Sequence, residues 1–163
     1  MRPVGTGLAA VMAGCAALSG ADPGSATRGL SLEVWLRGEE NLTVLYRVEP
    51  AGTIGFGGGP DARFQRITWT GPLTAEEIDR LWALLQEHGW FSGEVKAAST
   101  GEPRERQYRI RLRWPGGSKR YRIRGENPQV TPVEALLDQA SRRRLGGFLE
   151  TFPRPGPQKS SGR

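Results

Sequence analysis

Cysteine, histidine and lysine are nearly missing from this chain, and each scarcity closes off a class of chemistry. One cysteine (Cys15) and one histidine (His88) among 163 residues exclude a disulfide framework. They equally exclude any zinc site built from His and Cys ligands within the chain. No apolar run is long: the best, residues 4–18, falls short of the ~20 residues that a membrane-spanning helix needs. No G-x-S-x-G elbow is present, and no pair of carboxylates is spaced as an acid/base dyad. Lysine is scarce, with only Lys96, Lys119 and Lys159 among 23 basic residues, so twenty are arginines. Acidic residues number 17, which leaves a net charge of +6. Hydrophobic residues make up 37% and charged residues 25%. Setting aside the polar ends leaves about 120 residues, enough for one modest core and too few for a multidomain enzyme.

The charge is clustered. Between residues 104 and 124 nine basic residues face a single acid, Glu105, while the rest of the chain is close to neutral. A total can follow from codon usage alone, whereas clustering asks for a physical reason.

The first fifteen residues, MRPVGTGLAAVMAGC, carry one cation (Arg2), a small-residue apolar stretch and then Met12-Ala13-Gly14-Cys15. This order resembles a bacterial lipoprotein signal. The resemblance implies cleavage after residues 1–14, acylation of Cys15 (palmitate among the chains) and a membrane-anchored envelope protein, on the outer membrane if the cell has two. Cleavage near Ser19 or Ala21 by the ordinary secretory route is the alternative. Residues 15–29 then read as the lipidated cysteine and a polar, Pro-interrupted tether, and residues 153–163 as a disordered tail.

Residues 30–152 read as one α+β domain. Residues 30–37 alternate, placing Leu30, Leu32, Val34 and Leu36 on one face of a strand. Residues 42–48 repeat this with Leu42, Val44, Tyr46 and Val48 inward, after a turn at Glu39-Glu40-Asn41; Glu33, Trp35, Arg47 and Glu49 point the other way. Residues 53–56 and 64–70 are further strand candidates. A helix opens at Thr74, three residues before Glu77, as a capping box with Leu73 and Ile78 as its staple. Ile78, Leu81, Trp82 and Leu85 form its apolar stripe, and Gly89 stands where a left-handed cap belongs. Strands 107–114 and 119–124 follow. A second helix opens on Thr131-Pro132 with Glu134 as a second capping box, buries Val133, Leu136, Leu137 and Ala140, and breaks at Gly146-Gly147. The expected order β-β-β-β-α-β-β-α gives a single antiparallel sheet of five to six strands with two helices packed on one face.

The hairpin at 107–124 carries the most distinctive pattern. A two-residue Gly116-Gly117 turn pairs 113 with 120, 111 with 122 and 109 with 124. Arg109, Arg111, Arg113, Arg120, Arg122 and Arg124 then share the face opposite Ile110, Leu112, Tyr121 and Ile123. Like charges directly opposite one another destabilise a sheet, so carboxylates, an aromatic ring or an anionic partner should compensate. Anionic lipid, polysaccharide or an envelope protein are the partners this face would suit; an envelope address argues against nucleic acid, which is the third reading if the signal is read wrongly. Glycines 55 and 57–59 lack the Lys-Ser/Thr of a phosphate loop and read as backbone accommodation. His88, at the end of the first helix, reads as a dipole cap. No cofactor, metal or catalytic residue is indicated.

Residues 71–140 combine Leu73-Thr74-Ala75-Glu76-Glu77 at a helix start, Gly89-Trp90-Phe91, a Tyr/Arg/Ile hairpin and a final helix after Pro132. This layout resembles emfourin, a small inhibitor of thermolysin-like metalloproteases. The resemblance implies an α+β fold and, as an alternative function, protein-binding inhibition of a secreted peptidase. The motif residues belong to core and caps, so no inhibitory residue is carried over.

Overall fold

The alternating aliphatic residues form strands as the period-two pattern requires. A computed structural model describes residues 28–38, 42–95 and 106–150, with the last four given as backbone only. Cys15, the segments 1–14 and 153–163, the tether to residue 27 and the turn at 39–41 lie outside the described residues, as do the side chains of Phe148, Leu149 and Phe152.

β1 (Ser31–Arg37) and β2 (Thr43–Glu49) pair antiparallel, and β3 (Thr53–Gly58) follows on the other edge of β2. The helical turn α1 (Gly59–Arg63) leads to the short β4 (Trp69–Pro72), then to α2 (Ala75–Glu87). β5 (Gln107–Trp114) and β6 (Gly117–Arg124) form a hairpin, and α3 (Thr131–Ser141) and α4 (Arg143–Glu150) close the described chain. The six strands make one antiparallel sheet in the order β4-β3-β2-β1-β5-β6. The fold is α+β, as expected.

One face of the sheet is the core. Leu32, Val34, Leu36, Val48, Ile54, Tyr108, Ile110, Leu112 and Ile123 meet Ile78, Leu81 and Leu85 of α2 and Val133, Leu137 and Ala140 of α3, with Trp90 fully buried among them. The expected capping box at α2 is present: Thr74 Oγ1 accepts from the Glu77 amide and Glu77 Oε2 from the Thr74 amide. Gly89 has φ +69°, the left-handed conformation expected after the helix.

α3 is held by its polar face. Tyr108 on β5 donates to Glu134 at 2.8 Å and Tyr46 on β2 donates to Asp138 at 3.4 Å, so carboxylates one helical turn apart grip two strands. Here the second expected capping box fails. Glu134 is drawn to Tyr108 and Arg106 (3.6 Å), and Thr131 is the first helical residue rather than the cap. The turn is made instead by buried Asn127, whose carbonyl accepts from the amides of Val130 and Thr131 and from the Thr131 hydroxyl. The helix also breaks earlier than its glycines suggested. It ends at Arg142, which frees Arg143 to fork onto Glu77 (2.7 Å) and the Pro72 carbonyl (2.6 Å) and sets the Arg144 guanidinium 3.7 Å from the Phe56 ring.

Two further expectations are corrected. Residues 64–68 are not strand, and Phe64 is 72% exposed. Leu42, expected inward, precedes β2 and is 58% exposed, while Leu45, on the outer face, is only 1% exposed. The outer face here is shaped by α1, the first of four helical elements among the described residues and one that apolar periodicity does not signal. This turn folds back beneath β2 and β3, covers Leu45, and receives the Trp35 indole N–H on the Ala62 carbonyl at 3.2 Å. The glycines make this approach feasible: a Cβ on Gly57 would stand 2.2 Å from the Arg66 carbonyl oxygen, and one on Gly55 would stand 2.9 Å from Ile67. Gly57→Ala is therefore expected to destabilise by about 1–3 kcal/mol in urea denaturation.

Burial first, and then the hydrogen bond to Glu134, pushes the Tyr108 phenol up to about 12. Burial and the Asp138 and Glu134 carboxylates raise that of Tyr46 as well. In the unfolded chain a tyrosine ionises near 10, so above that pH the folded state holds protons the unfolded state has lost. Stability carried by these clamps is thus full below pH ~10 and declines as pH rises through ~12. Tyr108→Phe should flatten that decline in denaturation curves recorded across this window.

Candidate functional site

The hairpin closes one step earlier than the glycine pair suggested. Trp114 pairs with Gly117, so Pro115-Gly116 is the loop. Proline presets the first corner of a turn and glycine is favoured where it closes; the Trp114 indole also lies where a Cβ on Gly116 would be, at 2.7 Å. The register is shifted by two residues, which leaves every side chain on its expected face. Arg109 now stands opposite Arg122 and Arg111 opposite Arg120, while Arg113 faces Ser118 and Arg124 faces Gln107. Likewise Ile110 faces Tyr121, Tyr108 faces Ile123, and Leu112 faces Lys119.

All six arginines are exposed on the outer face, and the structure brings them together. Strand pairing continues each tier inward. The Arg122–Arg109 tier runs on to Trp35 and Leu45, and the Arg120–Arg111 tier to Glu33 and Arg47. Arg113 neighbours Ser31, and the tier of Arg124 and Gln107 reaches Arg37, a further exposed cation. Sequence reading left Arg37 and Ser31 out of the surface, although the same period-two alternation places both on it.

Among the described residues, compensation is confined to the inner side of this patch. Glu33, whose side chain is 20% exposed, accepts from Arg47 at 3.0 Å and from Arg111 at 3.3 Å, so one carboxylate serves two guanidiniums. The Arg109 guanidinium lies 4.9 Å from the centre of the Trp35 ring, a cation–π contact. Arg113, Arg120, Arg122 and Arg124 have no ion pair or hydrogen-bonded side-chain partner among the described residues. A shallow cleft of about 210 Å³ lies between Ser31, Glu33, Arg47, Glu49, Arg111 and Arg113. A smaller one of about 90 Å³ separates the hairpin from α1 beside Trp35 and Arg63.

No family model and no curated protein matches this chain. The arrangement therefore speaks through its own chemistry: planar, permanently charged forks on a rigid sheet, suited to paired oxyanion oxygens as ammonium groups are not.

Elsewhere the expected residues have structural roles. Half-buried His88 is the C-cap of α2, and its carbonyl accepts from the Gln129 amide at 2.9 Å. Glu77 caps and pairs with Arg143. Among the described residues no group of His, Cys, Asp and Glu could hold a metal ion, and no helix is long and apolar enough to cross a membrane.

Glu33 is the charge on which the patch balances. Glu33→Gln should lower stability by about 1 kcal/mol at low ionic strength, and by less in molar salt, where screening weakens the repulsion left behind. Denaturation at two salt concentrations measures the difference.

Proposed function

We propose that this chain is a non-catalytic envelope lipoprotein, anchored through acylated Cys15, whose outer sheet face binds anionic surfaces or polymers. The observation that carries this reading is the hairpin's uncompensated charge. Four of its six arginines stand exposed without an ion-pair partner among the described residues, and two like-charged pairs face each other across the strands. A sheet bears such repulsion at a cost, and an anionic partner would convert that cost into binding. The small-residue stretch ending in Met12-Ala13-Gly14-Cys15 supports the anchor. Two or more acyl chains hold a protein stably, at ~0.8 kcal/mol per buried methylene.

The anchor is tested by the intact mass of the chain from its native membrane fraction. The expected species begins at Cys15 and carries acyl chains, and a chain retaining Met1 without lipid would overturn it. For the arginine face, the full chain with Cys15→Ala is titrated with anionic vesicles and with soluble acidic polysaccharide at rising salt. Binding should weaken linearly in log–log form, and Arg111→Glu with Arg122→Glu should abolish it. Binding that ignores salt and survives the double reversal would remove this reading.

A further inference from the structure

The arginines are not merely numerous; they are spaced as a ladder. Along the hairpin the outer face presents four tiers: Arg124 beside Gln107, Arg122 beside Arg109, Arg120 beside Arg111, and Ser118 beside Arg113. Successive tiers are two residues apart, or about 6.8 Å in an antiparallel sheet. The four therefore span roughly 20 Å. Each tier offers at least one guanidinium, and the two central tiers offer one from each strand. The central guanidiniums of β5 are already oriented, Arg109 by the Trp35 ring and Arg111 by Glu33. Less ordering therefore remains to be done when an anion arrives.

A ligand that satisfies every tier needs one anionic group per two-residue step. In an extended peptide six backbone bonds separate equivalent atoms of residues i and i+2. Six bonds also separate successive phosphorus atoms in a polymer whose phosphates are joined by three-carbon bridges, through phosphorus–oxygen, oxygen–carbon and two carbon–carbon bonds and back. The two extended chains are commensurate. A phosphodiester presents two unesterified oxygens, and a cross-strand arginine pair can give a fork to each.

Nucleic acid shares this repeat, but its single strands are held by aromatic platforms as well as charge. Such a platform is not available along these tiers among the described residues. Trp35 is half-buried, covered by Arg109 and tied by its indole N–H to Ala62. Tyr121 lies on the opposite face, with its hydroxyl donating to the Trp90 carbonyl. The exposed ring of Phe64 follows α1, stands on none of the four tiers and is faced by the Arg66 guanidinium at 5.7 Å.

We propose that the hairpin is a docking track for a linear phosphodiester polymer with three-carbon bridges and no bases, of the glycerol-phosphate type, bound in register with one phosphate per tier. This deepens the anion-binding reading and rests on it.

The test uses the full chain with Cys15→Ala and synthetic phosphodiester oligomers of equal charge, fluorescently labelled and read by anisotropy. One series has three-carbon bridges, a second has twelve-carbon bridges, and a third is single-stranded DNA of mixed sequence. The three-carbon oligomer is expected to bind about tenfold tighter than the twelve-carbon one, a factor worth ~1.4 kcal/mol. Arg120→Ala should remove most of that preference, and Arg80→Ala, on the exposed side of α2, should leave it intact. Circular dichroism of both variants confirms folding. Equal affinity for both spacings would overturn the register while leaving a diffuse anion-binding face. DNA binding well above the three-carbon oligomer would overturn the base-free polymer. Failure of all three to bind would remove both the track and the reading beneath it.

Discussion

β1 is hydrogen-bonded on both edges, to β2 and to β5, so the alternation of its seven residues decides both faces of the sheet at once. Its even-numbered positions, Leu32, Val34 and Leu36, are buried against the helices. Its odd-numbered positions set the outer face, with Glu33 between Arg47 and Arg111 and with Trp35 between Arg109 and α1. A slip of one residue in either pairing would exchange these sets and place a carboxylate and an indole in the core. The helices, the hairpin and the charged tiers are arranged around that single strand.

The outer face is divided by what lies on it. Over β2 and β3 it carries the turn of α1, admitted by glycines 55 and 57, and Leu45 is buried there as in a second, small core. Over β5 and β6 nothing described covers it, and the side chains change from aliphatic to arginine. Glu33 and Trp35 stand on the boundary and settle the nearest two guanidiniums. The others have neither a carboxylate nor a ring among the described residues. Arginine is consistent with both halves of this design, since its guanidinium can lie on an aromatic face and can also fork onto an oxyanion. A lysine ammonium would do the second less selectively. The molecule thus carries its unbalanced charge on its most regular element, a hairpin whose backbone is fixed by eight paired positions.

Much of this was legible before any coordinates. The Thr74–Glu77 capping box, the stripe of Ile78, Leu81 and Leu85 and the cap at Gly89 are local signals, each complete within one or two helical turns, and all appear in the structure. The grouping of six arginines on one face follows from period two alone, and it survived an error in the turn because a two-residue shift preserves parity. What was misread depends on distant partners. Glu134 has the spacing of a capping residue, yet Tyr108, 26 positions away, takes its carboxylate. The last helix breaks at Arg142, and the Arg143 that follows reaches Glu77, 66 positions earlier. The glycines of β3 read as backbone accommodation, but the group they accommodate, the Arg66 carbonyl against Gly57, lies nine positions further on.

Periodicity and capping, then, were sufficient for the long strands and α2, the α+β class and the two faces of the hairpin, since these rest on contacts within a few residues. Which faces are covered, which arginines find partners, and how the tiers line up were settled by strand order and by the path of α1. Those depend on contacts between residues far apart in the chain, and no local spacing encodes which distant group will arrive beside a given side chain.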